Sequence, residues 1–305
     1  MMNIFAGKNG FVWFQGVVED RNDPLQLGRV RVRCLGFHTE DKQLIPTEDL
    51  PWAYPVQPIT SAAMSGIGST PIGPVPGTWV FGFFRDGDSA QEPMILGTLG
   101  GIPQEKANPN EGFNDPSGTF PLEATVGEPD THRFARGVEE GTIVEDKKKN
   151  RDKMTLAGGV GSSPEIEEPE TPFKAEYPYN HVRQFESGHV EEFDNTPGSE
   201  RIHRYHKSGT FEEIHPDGKK VVKIVGDQYE VVLKDNNLHV MGNLNITVEG
   251  DASIYAKKNC TMQVDGDLKH IVKGNYTLNA SGQVKITAGD GSSTIVMVGG
   301  TIRLN

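Results

Sequence analysis

Gly242-Asn-Leu-Asn-Ile-Thr-Val-Glu-Gly250-Asp-Ala-Ser-Ile-Tyr-Ala-Lys-Lys258-Asn-Cys-Thr-Met-Gln-Val-Asp-Gly266 carries an eight-residue repeat that extends both ways, from Gly218 to Ala288. Glycine holds the same slot at Gly226, Gly274 and Gly282, and Lys234, Lys258 and Asp290 stand where it is missing. A residue without Cβ reaches the positive φ of a tight turn at no steric cost, so the glycines mark corners. Between corners the even-numbered positions are apolar: Val240, Leu244, Ile246, Val248, Ile254, Val264, Leu268, Val272, Leu278, Val284 and Ile286 lead the set. The odd positions are mostly polar, as at Asn243, Asn245, Thr247, Asp265 and Asp267. Alternation with a period of two is the mark of strands with one buried face.

Because the repeat of eight is even, every turn restores the same in/out phase, and the alternation runs through the region without a slip. A rung of a single-chain β-helix turns three corners and needs about 20 or more residues. An octad supplies one strand and one corner, which leaves open edges and an apolar face in water. Three copies wound around a shared axis close the triangle, so the region predicts an obligate homotrimer with a long β-prism. The competing reading is an antiparallel meander in one chain, for which Asp217-Gly218 is a hairpin signal, but the strict period opposes it. Lys258 and His270 interrupt the even face. They are expected near the axis, or at a corner for Lys258, with ordered solvent or a bound ion between the like charges.

At 305 residues the chain has room for two or three units. Its two cysteines, Cys34 and Cys260, lie far apart and imply no disulfide framework. No apolar run reaches the length of a membrane span, and Met1 to Phe14 lacks the pattern of a signal peptide. Lys and Arg number 30 against 42 acids, a net charge of -12. Such a surface repels phosphate and argues against nucleic acid as a partner.

The first hundred residues have a different grammar. Strand-like runs recur at Val12 to Val18, Arg29 to Leu35, Trp52 to Val56, Thr78 to Phe84 and Met94 to Leu99, separated by turns rich in Asp, Pro and Gly. Five short strands in that length predict a small closed barrel of the OB type. The stretch Pro58 to Gly77, of small residues, Pro and Gly, is too poor in large apolar groups to be core and is expected to pack on a partner or a neighbouring protomer.

Gly16-Val-Val-Glu-Asp-Arg21, Asp23-Pro-Leu25 and Leu27-Gly-Arg-Val-Arg-Val-Arg33, with Leu50-Pro-Trp52, the run Gln57 to Gly68 and Glu111-Gly-Phe-Asn-Asp-Pro116, resemble the N-terminal OB domain of the central spike proteins of T-even-like contractile-tailed phages. The octads resemble that family's trimeric β-helix, which also occurs in type VI secretion spikes. Tyr177-Pro-Tyr-Asn180, Glu186-Ser-Gly-His189, Asp194-Asn-Thr-Pro-Gly198, Glu200-Arg-Ile-His203 and Tyr205-His-Lys-Ser-Gly209 look like the lead-in to the helix in those spikes.

The resemblance implies an all-β chain: an OB domain over 1–120, a charged Pro/Gly-rich linker over 121–172, a β-rich lead-in over 173–217 and the trimeric β-helix over 218–305. Members with peptidoglycan hydrolase activity carry a lysozyme domain between barrel and helix. Here that stretch holds Glu145-Asp-Lys-Lys-Lys-Asn-Arg-Asp-Lys153 and Pro164-Glu-Ile-Glu-Glu-Pro-Glu170, which reads as a linker with solvated carboxylates. The expectation is therefore a structural spike, not an enzyme. A glycan- or peptidoglycan-degrading tail enzyme, or a type VI-like secretion spike, is the alternative. His203 and His206 have zinc-like spacing, but residues three apart on a strand face opposite ways, so no metal and no cofactor are expected.

The resemblance also implies partners: two further copies, a trimeric tail hub held through the OB domain, transient contact with the host envelope, and residence in the tail baseplate of the virion. Asp20, Arg21, Asp23, Ile59, Met64 and Ile67, on barrel loops, are the expected hub-binding residues. Beyond the last octad, Ile295 and Met297 add apolar surface at odd positions while Ile302 and Leu304 continue the even face. These four are expected to bind a small conical tip protein.

Overall fold

The computed structural model describes residues 7, 10–113, 115–156, 165–287 and 289. The first five strands are β1 (Val12–Asp20), β2 (Val30–Cys34), β3 (Trp52–Pro55), β4 (Trp79–Phe84) and β5 (Pro93–Leu99). They close into a barrel in the order β1-β2-β3-β5-β4, with β3 and β5 parallel and the other pairs antiparallel. This is the expected OB barrel. Phe14, Val18, Val30, Val32, Cys34, Ala53, Val80, Phe84 and Ile95 fill its interior.

Two local features close the barrel. A bulge between Val18 and Asp20 shifts the β1–β2 register and lets Glu19 turn inward beside Val18. There Glu19 meets Arg33 at 2.6 Å, with both side chains fully buried, and Thr47 donates to the same carboxylate. At Gly82 the backbones of β4 and β5 approach so closely that a Cβ would lie 2.0 Å from the Met94 carbonyl oxygen.

The second sheet is an antiparallel meander of β8 (Asn180–Gln184), β9 (Val190–Asp194), β10 (Arg201–Tyr205), β11 (Phe211–Ile214) and β12 (Lys220–Lys223). Between barrel and meander lie α1 (Ile143–Lys149) and the short hairpin β6 (Lys153–Thr155) with β7 (Glu165–Glu167). The expected linker is not solvated throughout. Phe134 and Val144 are buried with Phe173, Ala175 and Val190, and Thr142 caps α1 by accepting from the Val144 N–H. Its charged residues conceal a few well-spaced apolar anchors, enough to bind the segment down as a strap.

From residue 224 to residue 287 the described chain contains no strand and its side chains are exposed. Bends recur at 225–226, 233–234, 241–242, 249–250, 257–258, 265–266, 273–274 and 281–282. Corners thus fall every eight residues, including the slots where Lys234 and Lys258 replace glycine. The chain divides into two compact units, Met1–Thr247 and Val248–Asn305.

Replacing Gly82 by alanine drives a methyl into the Met94 carbonyl, and a clash with backbone relaxes poorly. We expect Gly82→Ala to lower barrel stability by about 3 kcal/mol, read as a thermal shift, with Gly97→Ala, whose Cβ meets nothing, close to neutral.

Candidate functional site

The meander has a charged interior. Alternation along β9, β10 and β11 sends Glu192, Asp194, Arg201, His203 and Glu213 to one face, and all are buried. Arg201 bridges two carboxylates, donating to Glu192 at 2.8 Å and to Glu213 at 2.9 Å. His203 Nδ1 lies 2.7 Å from the other Glu192 oxygen, Asn180 donates to Glu192, and Thr171 donates to Glu213 at 2.6 Å. The lid is Lys147 of α1. Its Nζ sits 2.9 Å from Glu213 and 3.2 Å from His203 Nε2, above the Phe211 ring at 3.7 Å.

Charge balance explains why so polar an interior holds. Glu192 and Glu213 face one guanidinium and one ammonium, while Asp194 accepts from the Thr196 N–H and hydroxyl, and a buried ion is tolerated only when paired and hydrogen-bonded. Burial alone would raise the Glu192 carboxyl, but the bond to His203 and the Arg201 charge hold it at about 2. Glu213 is likewise held at about 2, against burial, by Lys147 and Thr171. Burial lowers His203, with Glu192 opposing and Lys147 reinforcing the shift. A glycosidase acid needs the reverse, a carboxyl raised toward neutrality in an open cleft beside a second carboxylate. The cluster ties β9, β10 and β11 to one another and to α1.

The residues expected on the partner-facing surface separate. Asp23 turns inward: its carboxylate accepts from the Leu25, Leu27 and Arg29 backbone N–H groups and binds the Arg29 guanidinium at 2.6 Å, which holds the acid well below its ordinary range. It organises the β1–β2 turn and offers nothing outward. Arg21 forms a two-pronged ion pair with Glu186 at 2.7 and 2.9 Å, and Asp20 lies 3.7 Å from Arg31. Ile59, Met64 and Ile67 are exposed with no apolar cover.

On the octads, the even-position residues from Val240 to Ile286 are 43–95% exposed in a single chain. Lys258 is exposed, and His270 keeps a ring contact with Tyr276 at 6.4 Å. His203 and His206 do not converge: the first is buried on Glu192, and the second lies in the β10–β11 turn against Ser208 and the His189 ring. Ile295, Met297, Ile302 and Leu304 lie outside the described residues. Sequence reasoning missed the charged cluster. Its signal was the alternation Glu192-x-Asp194 facing Arg201-x-His203, opposite charges spaced to meet across paired strands.

Residues 36–172 match the family model of the Gp5 N-terminal OB domain. The protein Gp5 of Vibrio phage KVP40 is 48% identical over 278 residues, covering 82% of this chain and 66% of that protein. The pre-baseplate central spike protein Gp5 of Enterobacteria phage T4 is 56% identical over 118 residues, covering 37% of this chain and 20% of that protein. The chain therefore spans about two thirds of the length of the first relative and a fifth of the second.

Removing Lys147 leaves the cluster with one cation too few. We expect Lys147→Met to destabilise the meander by about 3 kcal/mol and to speed hydrogen exchange over 139–149. Because folding lowers the His203 pKa, the stability linked to it is present above the unfolded value of about 6.5 and is lost as pH falls below it. The two carboxyls, depressed to about 2, lose theirs between roughly pH 4.5 and 2. Melting temperature against pH should fall in those two stages, and His203→Gln should shrink the first, to which His38 and His132, also lowered by burial, contribute the remainder.

Proposed function

We propose that this chain is a Gp5-like central-spike protein, the structural, cell-puncturing spike of a contractile phage tail baseplate, working as a homotrimer in the virion. The observation that carries this reading is the octad region. Its corners recur every eight residues while its apolar even positions stay exposed in one chain. Two further copies would pair the open edges and bury that face, giving a rigid needle that transmits contraction force to the host envelope. In that trimer Lys258 and His270 approach the axis with solvent or an ion among them.

The barrel joins the needle to a trimeric tail hub, and the apolar loop bearing Ile59, Met64 and Ile67 contacts either the hub or the adjacent barrel. The far end carries a small conical tip protein on Ile295, Met297, Ile302 and Leu304. The chain does no hydrolysis of its own. What supports this is the strap, whose folded parts are short elements held on the meander, and the direction of the Glu192 and Glu213 shifts.

Mass in solution tests the central point. The full chain should weigh three times its 33.4 kDa. Leu268→Asp, which places three carboxylates on the proposed axis, should dissociate the trimer or lower its melting temperature by tens of degrees. A folded monomer for the unaltered chain would sink the spike reading. For the tip, Met297→Asp and Ile302→Asp should each weaken binding of a conical tip protein at least tenfold by calorimetry, and unchanged affinity in both would remove that partner.

A further inference from the structure

The barrel carries two apolar surfaces of different shape. On its outer wall, across β1 and β4, Trp13 stacks on Phe81 with centroids 5.2 Å apart and planes 5° from parallel. Phe11 and Phe83 complete the group, Phe11 lying 5.3 Å from Trp13 and 5.1 Å, edge-on, from Phe83. Trp13 and Phe11 are nearly half exposed, so this aromatic strip is open to water. The second surface is a knob. Met64 and Ile67 are joined by a backbone bond of 2.8 Å across a turn in which Ala63 and Ser65 take positive φ, and both side chains project. Pro71 seats the loop against Gly28 in the β1–β2 turn.

Pro71 thus ties the loop to the β1–β2 turn, at the end of β1 away from Trp13. Neither surface contains a charged side chain: none occurs from Phe11 to Val18 or from Gln57 to Phe84. In a chain of net charge -12, these neutral faces are where two copies meet without bringing like charges together. A contact between unlike patches is heterologous and propagates, and a threefold axis closes it after three steps. Tethering by the needle supplies local concentrations in the millimolar range, so a small patch suffices.

We infer that the aromatic strip of each barrel receives the Met64–Ile67 knob of the next, so that the three barrels form a closed collar. This rests on the trimeric reading above and assigns the knob to the adjacent barrel, not to the hub. The test uses the purified full chain with a photo-reactive benzoylphenylalanine in place of Trp13, or separately of Met64, and a control probe at Leu44, which is exposed elsewhere. After irradiation the Trp13 probe should give covalent dimers and trimers on a denaturing gel, with adducts mapping between Ile59 and Ile72 of another copy. The Met64 probe should map to Phe11, Trp13, Phe81 or Phe83, and the Leu44 probe should give no such adducts. A chain that weighs as a trimer yet yields no intermolecular adduct from either probe, or adducts elsewhere, overturns the collar and leaves the spike reading intact. A monomeric mass overturns both.

Discussion

Between residues 224 and 287 the chain bends every eight residues and pairs as a strand with no other segment of itself, and that deficit is what the trimeric reading has to answer. Each run between corners leaves its backbone N–H and C=O groups without ladder partners and its even side chains in water. Lengthening such a segment adds more of the same unmet demand. The region therefore cannot resemble the two sheets that precede it, which satisfy their own hydrogen bonds within residues 12–223. On the trimeric reading its stability is inseparable from assembly, as for any obligate oligomer.

Patterns with one period and one buried face were legible in the sequence. The five barrel strands fall within a residue or two of where the apolar runs place them, and the corners fall on the octad slots even where lysine replaces glycine. What escaped were features that depend on a partner distant in sequence. Glu19 reads as an outward acid until the bulge turns it onto Arg33. Asp23 reads as an exposed loop acid, yet Arg29 and three backbone N–H groups converge on it once the turn forms. Lys147 sits in a run of lysines indistinguishable by composition from solvated charge, and only its position in α1 carries it over Glu213. Composition averages over such a run, whereas burial selects one member.

The two sheets solve the packing problem with opposite materials. The barrel uses aliphatic and aromatic side chains with two buried ion pairs, Glu19–Arg33 and Asp23–Arg29, at its β1–β2 side, and its apolar interior is tolerant of small shifts so long as volume is kept. The meander uses charges, which tolerate none. A one-residue slip of β10 would carry Arg201 and His203 to the outer face and leave Glu192 and Glu213 buried with Lys147 as the one cation of the cluster, a penalty of several kcal/mol for the unpaired ion. An ion-paired core adds little net stability over an apolar one of equal volume, but it sharply separates the correct register from its neighbours.

That separation bears on where the meander lies in the chain. Octads repeat, so shifting one strand by a whole octad replaces an apolar face with another apolar face at nearly the same energy, and the repeat cannot define its own register. On the trimeric reading, three such strips must nevertheless start in step. The element immediately before the first corner is the one whose strand pairing is fixed by charge, with β12 ending at Lys223 and the first bend at 225–226. Lys223 is itself tied to Asp152 and Glu168 of the strap, at 2.8 and 2.9 Å. The strap and the charged sheet thus hold the last residue of the self-sufficient fold in place. On the trimeric reading the degenerate repeat proceeds from that point with its phase already set.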